Sequence, residues 1–172
     1  MPPQRRGALA PILIPSLVLL AAATMAALKP GVSATGPDRT VLGPVVKASE
    51  NESGLPLVAR VDTGAKTSSI HFEDYSVEGG AERMEDNIGK RIRFRVRNKA
   101  GEAVWLEREI REVATIRTSE REEKRYKVLI DLETAGVGKQ VLVSLNDRSR
   151  MNYALLLGRN FLRDDFLVNV DL

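Results

Sequence analysis

At 172 residues, with a formal net charge of +3 and 43% hydrophobic content, the chain can bury one core of ordinary domain size. Its 28% charged content excludes an integral membrane protein of many spans, and the absence of cysteine excludes disulfides, thiol catalysis and zinc–thiolate sites. The mild basicity comes with no nucleic-acid motif, so no nucleic-acid partner is expected.

Arg5 and Arg6 precede an uncharged run from Gly7 to Leu28 that Lys29 closes. A helix needs roughly 20 residues to span a bilayer, so the run predicts an N-terminal hydrophobic helix. Its leucine-rich part, Ile12 to Leu20, also has the length of a signal-peptide core, and small residues ending at Ala23 and at Ala34 suit a signal peptidase. A cleaved signal peptide and an uncleaved anchor both fit. Either exports the remainder of the chain, to the bacterial periplasm or the periplasmic face of the inner membrane, because the arginines hold the N-terminus inside. An uncleaved run would associate with the membrane. The segment "KPGVSATGPDRT", residues 29–40, reads as a linker. Residues 1–35 are thus a signal or anchor with linker, and 40–172 the folded domain.

The domain reads as strands. "TVLGPVVKAS" is short and β-branched, and "GLPLVARVD" alternates up to Asp62. "KRIRFRVRN" has period two, with Ile92, Phe94 and Val96 on one face and Arg91, Arg93, Arg95 and Arg97 on the other. "AVWLEREIREVATIRTS" predicts two strands or one long bent strand. The charge-rich Thr118–Tyr126 reads as a solvated hairpin tip, or as part of a flap over a groove. "KRYKVLIDLE" and "KQVLVSLND" form a hairpin around "TAGVGK", whose glycines allow the turn. "YALLLG" fits a buried strand, "RNFLRDD" one or two helical turns, and "FLVNVDL" a last strand. Many short strands between turn signals predict an all-β fold, closed like a barrel or sandwich-like, with one short helix.

Two motifs carry the chemistry: "VARVDTGAKTSSIH", ending at His71, and "ALLLGRNFL", Ala154 to Leu162. An apolar strand entering Asp-Thr-Gly-Ala, followed late in the chain by aliphatics, Gly-Arg-Asn and an apolar pair, resembles the retropepsin-like aspartic proteases. The fuller strings resemble more closely a bacterial, RimK-associated branch often labelled "ATP-dependent zinc protease".

The resemblance implies a single acid-protease lobe and hydrolysis of peptide bonds by two carboxyls sharing one proton. Such proteases are a standard example of like charges about 3 Å apart that cannot both ionise. Asp62 would be the catalytic carboxyl. Thr63, Gly64, Ala65, Thr67 and Ser68 would support its loop, with the Thr63 hydroxyl locking it and Gly64 allowing close backbone approach. Leu156, Leu157, Gly158, Arg159 and Asn160 would form the structural motif behind it. The domain holds one Asp-Thr-Gly and no Asp-Ser-Gly, so a dyad requires two chains about a twofold axis, each giving one Asp62. The homodimer would share the last strand. The branch is associated with systems that ligate amino acids to peptides, which implies an acidic or glutamate-bearing peptide or protein substrate.

Lys66 departs from the viral pattern, which has there an acidic residue that pairs with the arginine of Gly-Arg-Asn. Arg159 must then find another carboxylate or change its role, and Lys66 adds positive potential that opposes a shared proton. A lone histidine, His71, and no cysteine leave no ordinary zinc ligand set, so no metal is expected. "AGVGKQ" lacks the first glycine and the Ser/Thr of a phosphate loop, so no ATP or other cofactor is expected. His71 reads as a structural strand residue and the arginine row as a solvated face, or as a platform for an acidic partner. The alternative to a peptidase is a non-catalytic module that keeps the acid-protease fold and holds a peptide.

Overall fold

In the computed structural model, which describes residues 39–117 and 122–172, alternation in sequence becomes alternation in burial. Strand β3 (Leu55–Val61) buries every second residue up to Val61, and β5 (Arg91–Arg97) buries Ile92, Phe94 and Val96 completely. The other strands are β1 (Thr40–Leu42), β2 (Val45–Glu50), β4 (Ser68–Val77), β6 (Ala103–Arg117), β7 (Glu122–Thr134), β8 (Val137–Asn146), β9 (Leu155–Leu157) and β10 (Phe166–Val168). A four-residue helix α1 (Arg159–Leu162) and a 3-10 turn at Met84–Asn87 complete the described elements.

Eight strands form one sheet in the order β2-β3-β9-β4-β5-β6-β7-β8. Additional β2–β7 and β4–β8 pairings fold the sheet back on itself, so it is nearly closed. Closure depends on long strands that change partner. The first residues of β4 pair with β8 and β9 and its later ones with β5, with a register shift between Phe72 and Tyr75. The tract from Ala103 to Arg117 is one long strand, paired first with β5 and then, past an irregularity between Ile110 and Glu112, with β7. Bulges of this kind bend a strand so that a sheet can turn a corner. Inside lie Ile70, Phe94, Ile110, Val128, Ile130, Leu155, Leu157 and Phe161, all at 0% exposure. Each contributes about 1.5–3 kcal/mol by burial.

Three sequence expectations need correction. "TVLGPVVKAS" is two strands, because Pro44 cannot donate to a ladder; β1 leaves the main sheet and pairs in parallel with β10. The tract Thr118–Tyr126 is not wholly a loop. Residues 118–121 lie outside the described residues, but Glu122 to Tyr126 already belong to β7, opposite Val113 to Arg117. Their charges belong to a strand because they find partners: Arg117 with Glu122 at 2.8 Å and Arg125 with Glu123 at 2.8 Å. The last strand stops at Val168, with Asn169 to Leu172 beyond it. The N-terminal hydrophobic helix also lies outside the described residues, among which no helix is long and apolar enough to cross a membrane.

The β7–β8 hairpin turns on Ala135 and Gly136, at φ 49° and 78°. Two successive left-handed residues make the turn that matches strand twist, and it favours Asn-Gly because alanine is strained there. Ala135→Asn is expected to stabilise the protein by about 0.5–1 kcal/mol, a rise in melting temperature of about 2–4 °C at the upper end. Calorimetry of the two proteins checks this, and a lower melting temperature would contradict the turn assignment.

Candidate active site

Strand β3 delivers Val61 to the core and Asp62 to the end of the sheet. The Asp62 amide donates to the Leu157 carbonyl at 3.0 Å, which ties the aspartate to β9. Its Oδ1 accepts from the amides of Gly64 at 2.9 Å and Ala65 at 3.1 Å. This is an Asx-type turn, in which a short carboxylate mimics a backbone acceptor. Among the described residues Oδ2 accepts no hydrogen bond, and Asp62 is half-buried while Thr63 and Gly64 are exposed. One oxygen is thus fixed by the loop and the other is open to chemistry.

The late motif closes on this loop from behind. Strand β9 runs parallel to β3 with Leu157 opposite Val61, and antiparallel to β4 with Leu156 opposite Ser69. At Gly158 a Cβ would lie 2.6 Å from the Thr67 carbonyl carbon, a distance backbone cannot tolerate. The Gly158 amide donates to Ser68 Oγ at 3.0 Å, and Ser68 Oγ and its amide both donate to Asn160 Oδ1, at 2.9 and 2.8 Å. Asn160 Nδ2 donates to the Leu142 carbonyl at 2.8 Å, so one amide side chain joins β4, β8 and α1. The Arg159 and Asn160 amides reach the carbonyls of Ala65 and Lys66.

Arg159 resolves the question that Lys66 raised. Its Nη1 donates to the Thr63 carbonyl at 2.9 Å and to the Gly64 carbonyl at 2.7 Å, so the guanidinium holds the loop by backbone and not through a carboxylate. Lys66 is exposed and lines a pocket of about 430 Å³ with Lys139, Arg159 and Arg163. Thr63 supports the loop through its carbonyl, and its hydroxyl makes no hydrogen bond within the described residues, contrary to the expectation that the hydroxyl would lock it.

A second buried polar group lies beside the loop, and sequence reasoning missed its main member. Arg148 is 6% exposed. Its Nη1 donates to Ser69 Oγ at 3.0 Å and its Nε to the Tyr153 carbonyl at 3.0 Å. Its amide donates to His71 Nδ1 at 3.0 Å, which makes Nε2 the protonated nitrogen of that ring. Burial first, and the charge of Arg125 second, lower the Arg148 pKa, with the charge of Asp62 acting the other way. In sequence Arg148 sits in "NDRSR", a tract that reads as a polar loop, and only the fold shows that it is enclosed. Among the described residues no group of three or more His, Asp or Glu side chains is placed to hold a metal ion. The arginine row is largely partnered: Arg91 with Glu107, Arg95 and Arg97 with Glu73, and Arg93 over the Trp105 ring at 4.6 Å.

A family model described as the retropepsin-like aspartic endopeptidase RimB matches residues 45–172, and the chain belongs to this RimB-like family. Probable alpha-L-glutamate ligases of Shewanella pealeana and Shewanella halifaxensis are each 31% identical over 121 residues, which is 67% of this chain. The chain spans about a quarter of the length of these curated relatives, 25% in each case. The crystal structure of a Legionella pneumophila protein of unknown function (DUF785) superposes with a TM-score of 0.63 at 30% identity, covering 78% of this chain and 96% of that one.

Gly158→Ala should destabilise the protein by ~3 kcal/mol, since neither backbone can move without tearing the loop from β9. Denaturant unfolding measures this, and a change below about 0.5 kcal/mol would contradict the close approach. A second expectation concerns acid. Burial lowers the His71 pKa, outweighing the carboxylates of Asp147 and Glu73. The unfolded chain therefore binds a proton that the folded chain refuses. This contribution to stability is fully present above about pH 6.5 and is lost as pH falls through the lowered value. His71→Asn keeps an acceptor for the Arg148 amide, so its melting temperature should fall less than that of the parent as the buffer is taken from neutral to mildly acidic.

Proposed function

We propose that this chain is an aspartic endopeptidase that acts as a homodimer outside the cytoplasm, with Asp62 of each protomer supplying half of the catalytic pair. The observation that carries the reading is the state of that side chain, with Oδ1 anchored by two loop amides and Oδ2 unengaged at the end of the sheet. Peptide hydrolysis by carboxyls needs one that is ionised, to take a proton from water, and one that is protonated, to polarise the scissile carbonyl. A single Asp62 cannot be both, and a twofold axis beside the loop supplies the second.

The surface next to the loop supports such an axis. Val41, Leu167, Val170 and Leu172 are exposed on or beside the β1–β10 ribbon, and Val170 is 76% exposed. An open pocket beside them, lined by Leu162, Phe166, Leu167 and Val168 together with Arg159 and Arg163, reaches Thr63, so largely apolar surface runs from the C-terminal strand to the active loop. The unengaged Thr63 hydroxyl is free to bond to a partner chain. The family assignment supports the reaction class, and the glutamate ligase relatives support a peptide or protein substrate bearing acidic residues. Export rests on Arg5, Arg6 and the Gly7–Leu28 run, which would also attach the chain to the membrane if retained.

Asp62→Asn, nearly isosteric, should lower cleavage by about a thousand-fold or more while the melting temperature holds, because the amide can neither take the proton nor share one. Mixed dimers in which one protomer carries Asp62→Asn should be equally inactive, and specific activity should fall on dilution. Full activity in the variant would exclude the mechanism. Peptide binding without cleavage by the parent would favour the non-catalytic module.

A further inference from the structure

Most arginines of the described domain have an evident partner. Arg91, Arg97 and Arg108 meet carboxylates, Arg93 stacks on Trp105 and Arg159 caps carbonyls. Arg148 differs in being nearly enclosed while it has no carboxylate in hydrogen-bond contact. A buried charge without a contacting counter-ion is costly, so its retention asks for a use. Two of its three nitrogens are fixed, Nη1 on Ser69 Oγ and Nε on the Tyr153 carbonyl. Nη2 donates to no group among the described residues, yet it is not among the sealed polar atoms left without a partner, of which Ser144 Oγ is the sole member there. The free nitrogen therefore reaches accessible space.

The register says where that space lies. Arg60, Leu156 and Ser69 are partners across β3, β9 and β4, and so share one face of the sheet. Asp62 follows Arg60 by two residues, just past the end of β3, where its amide still bonds to the Leu157 carbonyl and continues the alternation. Ser69, the residue that holds Arg148, thus shares a face with the Asp62 carboxyl, and the action of the Asp62 charge on the Arg148 guanidinium agrees with that placement. Arg125, from β7, adds a second positive charge acting on the same guanidinium.

We propose that Arg148 is a specificity-determining residue of the peptide groove, its immobilised guanidinium presenting Nη2 to the side-chain carboxylate of an acidic residue lying near Asp62. The proposal rests on reading the Asp62 face as the peptide site. A guanidinium suits a carboxylate by charge and by planar fork geometry, and an amide of the same shape offers neither the charge nor two acceptors. The near-enclosure of Arg148 lowers the local dielectric, which strengthens a charge-assisted bond formed there. Charge-assisted bonds of this kind correspond to a preference of about 10- to 100-fold.

The test uses the full chain carrying Asp62→Asn, so that binding is read without cleavage. The probes are acetylated, amidated hexapeptides that alternate alanine with glutamate or with glutamine, compared by fluorescence anisotropy at physiological salt. The blocked ends exclude terminal carboxylates. The glutamate peptide should bind about 10- to 100-fold more tightly. Adding Arg148→Gln should abolish that preference and leave the glutamine peptide's affinity unchanged, Arg148→Lys should restore part of it, and Arg163→Gln, an exposed charge, should leave it intact. Should Arg148→Gln fail to fold by its melting curve, Ser69→Ala takes its place and should lower the preference by freeing Nη1. No preference in the parent, equal weakening toward both peptides, or a preference that survives loss of Arg148 each overturns the proposal. Cleavage by the unmodified chain without a glutamate preference would refute this inference alone. An Arg148-dependent preference with no cleavage of any peptide would refute the peptidase reading alone.

Discussion

Gly158 rests against the backbone of Thr67 and Ser68, where a Cβ would have 2.6 Å of space. Much of the site depends on that approach. It lets the end of β9 press onto the start of β4, which brings the Gly158 amide to Ser68 Oγ and sets Asn160 between Ser68 and Leu142. It also starts α1 at the one place from which Arg159 can reach back over Thr63 and Gly64. Two loops nearly a hundred residues apart in sequence are thereby locked by amides and carbonyls in fixed directions. Such an arrangement holds Asp62 without requiring anything of its free oxygen, which is how a reactive group should be positioned by its surroundings.

Strands are legible in the sequence where one face is buried and the other is not. In β3 and β5 alternation in sequence and alternation in burial coincide. They are less legible where a strand is charged on both faces. Glu122 to Tyr126 reads as a loop because hydrophilicity suggests solvation, whereas cross-strand and same-strand ion pairs let such residues sit in a ladder. Parallel pairings, β3 with β9 and β4 with β8, are also invisible to local patterns, because their partners are distant in the chain. The two motifs can be found in sequence because each is contiguous. Their mutual bonding, and the use of carbonyls by Arg159 where a carboxylate was expected, required the fold. Arg148 escapes notice for a related reason: an arginine between Asp147 and Ser149 has every local mark of an exposed loop residue.

Two groups of charges contrast. Those on the β5–β6 face are paired side by side in solvent, where each contact is worth little and serves solubility as much as stability. Near the Asp62 loop, backbone carbonyls and a hydroxyl hold Arg159 and Arg148. Lys139 donates to the carbonyls of Phe161 and Arg163 and also pairs with Asp165. A carbonyl holds a cation without neutralising it, so Arg159 keeps the potential near the loop positive. Lys66, which replaces the acidic residue of the viral pattern, belongs to the same arrangement: where Arg159 already uses backbone, an acid at residue 66 is not needed.

The stretch from Leu155 to Val168 has two roles that cannot be separated. Through β9 and α1 it braces the Asp62 loop, and through β10 it forms, with β1, the ribbon that leaves Leu167 and Val41 in solvent. Phe161 stacks on Phe166 at 5.4 Å, so the helix and the last strand share one aromatic contact. A partner that covered the ribbon would press on Phe166, and through Phe161 on the residues that hold Asn160 and Arg159. The β1–β10 ribbon and the aspartate loop are thus linked by packing within the monomer. On the proposed dimeric reading, the contact that brings the second Asp62 would also act on the elements that orient the first.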